Sequence, residues 1–227
     1  MTNETLQKTV LRILSQPGIS QMSFQVGQLL VTGERFAAVA RAVAEGKIEC
    51  RIMDGTEGKN TELAKGMIIE AQYQSDGDAI LFPDASYGTR DGGEERTIVH
   101  ECTHAIFDLY SVGKKTQTLA IDDEAAAVMS EAFYIKLCDK KVGGFLMDVD
   151  GPRPAALALA NSVLSTKTGG IINLTATQLE DVRRGVGINW NFRKYKDSDG
   201  RPTNATGAKY GYNGVVGCTQ TWIDKTQ

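Results

Sequence analysis

Several residue types and patterns are scarce in this sequence of 227 residues, and each scarcity excludes a class of protein. The four cysteines are far apart and form no CxxC pair, so we expect no metal site built from cysteines. Four cysteines could form two disulfides, but without a secretion signal we expect free buried thiols. No apolar run approaches the ~20 residues of a membrane-spanning helix, and we expect no membrane partner. The first residues lack the basic start and apolar core of a signal peptide. We therefore expect a cytoplasmic protein, or one secreted by a route that needs no signal peptide.

Basic residues are too few for a nucleic-acid-binding protein. Lys and Arg number 25 against 28 Asp and Glu, which gives a net charge of -3. A nucleic-acid partner requires basic residues clustered on one face, whereas the pairs Lys140-Lys141 and Arg183-Arg184 are isolated. The sequence therefore predicts no nucleic-acid partner, and it does not predict an oligomeric state.

The pattern of the sequence changes along the chain. The first 45 residues are predicted to be helical, with a break at Pro17-Gly18. Short segments rich in Ile and aromatic residues predict strands at about 48–53, 67–73 and 79–82. Helices are predicted at about 94–110, 121–138, 153–164 and 177–184, and loops with short strands from residue 189 onward. The predicted fold class is α+β, as one domain over 1–227 with an α/β lobe at about 1–113 and a mainly helical lobe at about 114–227.

The only two histidines of the chain lie four residues apart. The stretch from Thr97 to Asp108 reads TIVHECTHAIFD, and its apolar residues predict a buried helix. On a helix, His100 and His104 lie on one face and can offer both rings to a single zinc ion. Glu101 can reach a water molecule on that ion without binding the metal, which suits a general base. The pattern therefore predicts a catalytic zinc site.

A catalytic zinc site needs a third protein ligand, and the next helix offers one. Glu124 is the preferred candidate, because it lies near the start of that helix and is followed by small alanines that would permit close packing. Its alternative role is that of an acidic residue favoured by the helix dipole. Glu131, two turns later on the same face, is the alternative ligand.

These residues resemble the core of the thermolysin-like gluzincins, a family of zinc metallopeptidases. From His100 to Tyr110 the sequence reads HECTHAIFDLY, which matches the family pattern HExTHAxxDxY, and Glu124-Ala125 matches the glutamate-alanine pair that follows. The resemblance implies a zincin-like fold, with a small mixed sheet, an active-site helix and a mostly helical C-terminal half. It implies zinc held by His100, His104 and Glu124, with Glu101 as the base. It also implies that the strand at 79–82 is the edge strand that pairs with extended peptides.

Two departures from the family pattern affect the expected site. The family has an aspartate four residues after the ligand glutamate, which orients the first histidine, whereas this chain has Val128. Asp108, Asp123 or a backbone carbonyl would have to replace it. The family also stabilises the oxyanion with a later histidine, which this chain lacks. The preferred substitutes are Tyr210 and Tyr212 in a glycine-flanked loop, and the further candidates are Tyr134 and Arg90.

Three functions are compatible with these features. The preferred one is a zinc-dependent metallopeptidase that acts on a peptide or protein, which could be an exported effector or toxin. The second is a zinc amidase that cleaves an amide in a cell-wall or other non-protein substrate, by the same chemistry. The third is a zincin-like binding domain without catalysis, which the valine at position 128 and the missing histidine favour.

Overall fold

The structure is a computed structural model that describes residues 2–53, 71–90, 92–113, 116–140, 151–166, 169–189 and 209–224. The chain divides into two compact units. The first comprises Met1–Gln16, Glu34–Lys115 and Tyr212–Gln227, and the second comprises Pro17–Gly33 and Thr116–Gly211. Within the described residues both helices and small mixed sheets are present, so the predicted α+β class is confirmed. The single catalytic domain with lobes at about 1–113 and 114–227 stays a prediction.

The first unit contains a three-stranded sheet and the helices that cover it. The sheet consists of β3 (Glu49–Ile52), β4 (Gln72–Gln74) and β5 (Ala79–Phe82). Helix α1 (Glu4–Leu14) begins at Asn3, whose side chain accepts hydrogen bonds from the N–H groups of Thr5 and Leu6. The backbone N–H of Asn3 donates to the carbonyl of Cys50 in β3, which fixes the start of the helix to the sheet. Helices α3 (Gly33–Ala44) and α4 (Gly92–Leu109) also contribute to this unit.

Strand β5 is the central strand of this sheet, so the prediction of an edge strand at 79–82 is wrong. The strand order is β3-β5-β4, with β5 parallel to β3 and antiparallel to β4. All four residues of β5 are buried. A short run that is apolar at every position is typical of a strand covered on both faces and paired on both edges, because it has no side for water. In the described sheet, β3 and β4 are the two outer strands.

The second unit contains a hairpin near its start, so the prediction that the first 45 residues are helical apart from a break at Pro17-Gly18 is wrong for residues 23–32. After the short helix α2 (Pro17–Ser20), β1 (Ser23–Val26) pairs antiparallel with β2 (Leu29–Thr32). Gly27 has a φ of 58°, which a two-residue hairpin turn requires at its first position. Buried and partly exposed residues alternate along both strands, as expected for a sheet with one covered face. A third strand, β7 (Ile172–Leu174), pairs parallel to β1.

Three helices provide most of the core of the second unit. They are α5 (Ala120–Leu137), α6 (Pro152–Ser165) and α7 (Glu180–Asn189). The ring of Phe133 on α5 stacks on that of Phe24 in β1, with centroids 4.7 Å apart. The carboxylate of Glu131 is fully buried and accepts a hydrogen bond of 3.1 Å from Arg153 on α6. Strands β6 (Thr116–Leu119) and β8 (Lys209–Tyr212) form a two-stranded sheet, whose residues 116–119 and 209–211 belong to this unit.

The remaining short helix, α8 (Gln220–Asp224), follows the residues that return to the first unit. Its Trp222 lies 4.4 Å below the guanidinium of Arg41 on α3 and donates its ring N–H to Glu45. In the predicted tail from residue 189, β8 and α8 are observed, and 190–208 lie outside the described residues. In the part of the chain that the structure describes, no helix is long and apolar enough to cross a membrane.

Candidate metal centre

Helix α4 carries both histidines and the glutamate between them. Residues 95–109 of this helix are all buried, so the apolar flanks of the sequence predicted its environment correctly. His100 is 6% exposed and His104 is 8% exposed, and their ring centroids lie 5.0 Å apart in an edge-to-face arrangement. Because the two residues are one helical turn apart, both rings project from one face of α4. Within the first unit, the structure therefore brings the two predicted histidine ligands together.

The carboxylate of Glu101 is held by the edge strand of the sheet. Its Oε2 accepts a hydrogen bond of 2.7 Å from the backbone N–H of Tyr73 in β4. The side chain is 8% exposed, so this contact lies in a largely dry environment, where a hydrogen bond to a charged acceptor is strong. The predicted base is therefore fixed in orientation by the main chain of β4.

Asp108, two turns after Glu101 on α4, joins three segments of the first unit. Its carboxylate accepts the hydroxyl of Tyr73 at 2.8 Å and the backbone N–H groups of Asn213 and Gly214 at 3.1 and 2.9 Å. Gly214 is required for this approach. Its φ is 85°, and an added Cβ would lie 2.7 Å from the Cα of Val112. Asp108 therefore fixes both β4 and the residues after β8 to the helix that carries the histidines.

Two substitutions of Asp108 distinguish the effect of its hydrogen bonds on stability from the effect of its charge. Ala removes both the acceptor oxygens and the charge, whereas Asn removes the charge and keeps one oxygen. Asp108→Ala leaves the Tyr73 hydroxyl and two backbone N–H groups without this acceptor, at a cost of about 3 kcal/mol in the free energy of unfolding. Asp108→Asn retains an oxygen for the backbone donors and is expected to cost less. Urea denaturation of both variants and the wild type, with a chelator present, measures the difference.

The same variants are expected to differ in pH dependence. Burial is the largest influence on the Asp108 carboxyl and raises its pKa, while the hydrogen bonds from Tyr73 and Gly214 partly oppose the rise. A raised pKa in the folded state gives stability that is fully present below the unfolded value of about 3.9 and is lost as the pH rises through the folded value. Asp108→Asn should therefore gain stability relative to the wild type as the pH rises above about 4. A difference in stability between Asp108→Asn and the wild type that does not change with pH would contradict a raised pKa of Asp108.

In the second unit, Glu124 and Glu131 have different partners. The carboxylate of Glu124 is partly exposed and accepts a hydrogen bond of 2.7 Å from the hydroxyl of Tyr210. Glu131, by contrast, is buried in its ion pair with Arg153. A carboxylate paired with a guanidinium in a dry environment is a poor metal ligand, because binding would require the ion pair to break. The geometry of this unit therefore favours Glu124 over Glu131.

The acidic residues before Glu124 have structural partners of their own. Asp122 is bound by the guanidinium of Arg183 at 2.7 Å, and the buried Asp123 accepts the hydroxyl of Thr118 at 2.7 Å. Val128, which occupies the position of the family's aspartate, is completely buried. The contacts of Asp122 and Asp123 fix the first turn of α5, directly before Glu124.

The other predicted candidates have varied environments. Tyr212 is 6% exposed, and its ring packs edge-on against Phe107 with centroids 6.4 Å apart. Tyr134 is completely buried in the second unit. Arg90 is exposed and is bound to Asp84 and to Glu94. Of the four tyrosine and arginine candidates for the oxyanion donor, Tyr210 has the hydroxyl that is bonded to a predicted metal ligand.

The cysteine inside the histidine stretch has no chemical part in this arrangement. Cys102 is completely buried, and burial raises the pKa of its thiol well above the usual value near 9. No disulfide joins any of the described cysteines Cys50, Cys102, Cys138 and Cys218, as the sequence predicted. A thiol that stays protonated is neither a nucleophile nor a zinc ligand.

The contacts of Tyr73 with helix α4 were not predicted from the sequence. Tyr73 was recognised only as the end of a predicted strand, although it contacts two residues of α4. Spacing along the chain gives no indication of such a contact, because it depends on β4 being the edge strand beside this helix. The available signal was weaker: a buried aspartate in an apolar helix requires a donor, and a tyrosine at a strand end can provide one.

Comparison with known proteins gave no match, either to a protein-family model, to a curated protein or to a solved structure. The resemblance to the gluzincins therefore rests on the residues quoted above.

Proposed function

We propose that the protein is a zinc-dependent metallopeptidase of the gluzincin type, with a peptide or protein as its substrate. The observation that carries the proposal is the arrangement on α4. Two buried histidines lie one turn apart with their rings 5.0 Å from each other, and the glutamate between them is held by a backbone N–H. Imidazole pairs at this spacing are typical of zinc sites, and a carboxylate beside them suits a general base.

The donor set fits zinc. The proposed ligands are His100 and His104 of the first unit and Glu124 of the second, and their side chains are of the kinds that can hold a metal ion. Two imidazoles and one carboxylate are a ligand set that zinc prefers in catalytic sites, with a further position left for water or substrate. The hydrogen bond from Tyr210 to the Glu124 carboxylate supports this role, because ligand carboxylates are themselves usually hydrogen-bonded. A small mixed sheet beside α4 in the first unit, and helices in the second, are consistent with a zincin-like fold.

Each side chain has a distinct part in the proposed reaction. When bound, zinc would supply Lewis acidity that lowers the pKa of a water molecule to about 7 and polarises the scissile carbonyl. Glu101 accepts a proton from the water molecule as the oxygen of that water forms a bond to the carbonyl carbon. Glu101 then transfers that proton to the amide nitrogen as the C–N bond breaks, so that an amine and a carboxylic acid are released.

The proposed reaction also requires a hydrogen-bond donor for the developing oxyanion. Tyr210 is preferred, because its hydroxyl lies beside the side chain that we propose as the third ligand; its single O–H would have to leave the Glu124 carboxylate in order to donate to the oxyanion. Tyr212 is the second candidate, although its ring is packed against Phe107. A phenol that donates to a charged oxygen in the transition state is worth about 3 kcal/mol, by analogy with other oxyanion donors.

Glu124 and Glu131 provide a matched test of the metal site. We expect purified wild-type protein to bind one zinc ion per chain. Glu124→Gln should weaken zinc binding by at least about 100-fold, since even partners outside the ligand set contribute 10- to 100-fold. Glu131→Gln should retain zinc, because its carboxylate is paired with Arg153. Metal analysis after dialysis against graded zinc buffers measures both affinities.

Circular dichroism of the two variants confirms that each is folded before its affinity is compared. Unchanged zinc binding in Glu124→Gln, or an equal loss in Glu131→Gln, would remove Glu124 as the third ligand. A wild-type protein without stoichiometric zinc would overturn the proposed function as a whole.

A further inference from the structure

Tyr73 contacts helix α4 at two points that are two turns apart. Its backbone N–H donates to Glu101 at 2.7 Å, and its hydroxyl donates to Asp108 at 2.8 Å. Glu101 and Asp108 are separated by seven residues, which places them on the same face of the helix at a spacing of about 10 Å along its axis. One residue of the sheet therefore spans the distance between the proposed base and a buried aspartate.

The strand order explains why this backbone N–H can reach Glu101. Tyr73 is opposite Ile80 in the antiparallel pair of β4 and β5, and its N–H is directed to Glu101 rather than to β5. Because β4 lies at the edge next to β5, one side of its main chain has no strand partner within the described sheet. The N–H on that side is bonded to the carboxylate of α4.

We propose that Tyr73 is a positioning residue for Glu101, a role that rests on the proposed function. Its N–H fixes one carboxylate oxygen of Glu101, so that the other oxygen has a defined direction toward the attacking water. Its hydroxyl, bonded to Asp108, fixes the strand that carries this N–H. A base that is held by the main chain cannot rotate away from the water, and catalysis depends on such orientation.

The network around Tyr73 is buried, which increases the effect of each contact. Tyr73 and Glu101 are each 8% exposed, and Asp108 is completely buried. Asp108 is itself fixed by the N–H groups of Asn213 and Gly214, so the phenol is bonded to an acceptor that cannot easily move. In the described part of the chain, β4 is a strand of only three residues, and Tyr73 is its buried residue. The hydroxyl of Tyr73 is therefore the contact whose removal should displace the strand.

Removal of the hydroxyl is expected to affect turnover more than binding. Tyr73→Phe retains the ring and the backbone N–H but removes the bond to Asp108. We expect kcat for peptide hydrolysis to fall by about 10- to 100-fold, with KM and zinc content unchanged, because Tyr73 acts through the base. Tyr87→Phe is the control, since Tyr87 is also buried in the first unit, where its ring packs against Phe82. This control should retain full kcat.

A second measurement tests the contact without reference to activity. In the amide NMR spectrum of the full chain, the Tyr73 resonance should lie downfield because of its bond to a carboxylate. It should move upfield in Glu101→Ala. In Tyr73→Phe, the amide of residue 73 should move in the same direction, which shows that the hydroxyl holds the strand in place.

The outcomes separate this inference from the proposed function. A protein without zinc or peptidase activity, but with the expected amide shifts, would overturn the function and leave the contact standing. An active protein in which Tyr73→Phe retains kcat, or in which Glu101→Ala leaves the Tyr73 amide unmoved, would overturn the positioning role. If Tyr73→Phe proves unfolded, Asp108→Asn provides the same test, since it weakens the bond to the hydroxyl and keeps an acceptor for the backbone donors.

Discussion

Glu101→Gln is expected to reduce peptide hydrolysis by about 10²- to 10⁴-fold while zinc binding is retained, because an amide cannot accept the proton of the attacking water. The substitution preserves the shape of the side chain. Its oxygen can still accept the N–H of Tyr73, which holds the wild-type carboxylate at 2.7 Å. The loss is therefore one of proton transfer rather than of fold. Digestion of casein and of a peptide library by both proteins, each loaded with one equivalent of zinc, measures the effect.

Glu94→Gln is the matched control for this experiment. Glu94 lies in the first turn of the same helix, where its carboxylate binds the N–H of Gly88 and the guanidinium of Arg90. We expect this variant to cleave peptides at the wild-type rate. Equal cleavage by Glu101→Gln and the wild type would remove Glu101 as the base. Zinc binding with no cleavage of any peptide by the wild type would favour a zincin-like binding domain.

Removal of zinc is expected to lower the stability of the folded protein by about 4 kcal/mol, if free zinc is first present at 1,000 times its Kd. For a chain of this size, that corresponds to a fall of roughly 10 °C in the midpoint of thermal unfolding. The reason is mass action, since the two histidines of α4 have the required spacing in the folded chain and not in the unfolded one. Calorimetry with and without a chelator measures the shift.

His104→Ala should make the protein insensitive to the chelator, because only one of the two imidazoles remains. Addition of zinc to the chelated wild type should restore the original midpoint, which controls for damage by the chelator. A wild-type midpoint that does not change when zinc is removed would show that the histidine pair holds no metal in the folded state.

The two long helices could be predicted from the sequence because their signal is local. Helices were expected at about 94–110 and 121–138, and the structure has them at Gly92–Leu109 and Ala120–Leu137. Long segments rich in apolar helix formers have few alternatives to a buried helix. The histidine pair followed from the same argument, since its geometry depends on a single helix. The zinc ion, the third ligand and the peptidase activity stay predictions.

The features that were not predicted depend on which segments become neighbours. The hairpin at 23–32 had a local signal, the alternation of Phe24, Val26, Leu29 and Val31 around Gly27, but it was hidden inside a region that otherwise favours helix. The central place of β5 and the contact of Tyr73 with α4 are set by strand order. Strand order is decided by contacts between distant segments, which a local pattern does not contain.

The buried carboxylate of Asp108 has a consequence for how the chain acquires its structure. Two of its three donors, Asn213 and Gly214, follow it by 105 and 106 residues. During synthesis at about 5 to 20 residues per second, these donors emerge several seconds after α4 itself. Until then the carboxylate lacks two partners that its burial requires, and contacts between such distant residues are slow to form. Helix α4 should therefore reach its final packing late, after residue 214 has left the ribosome. Before that, the incompletely folded chain is a target for chaperones.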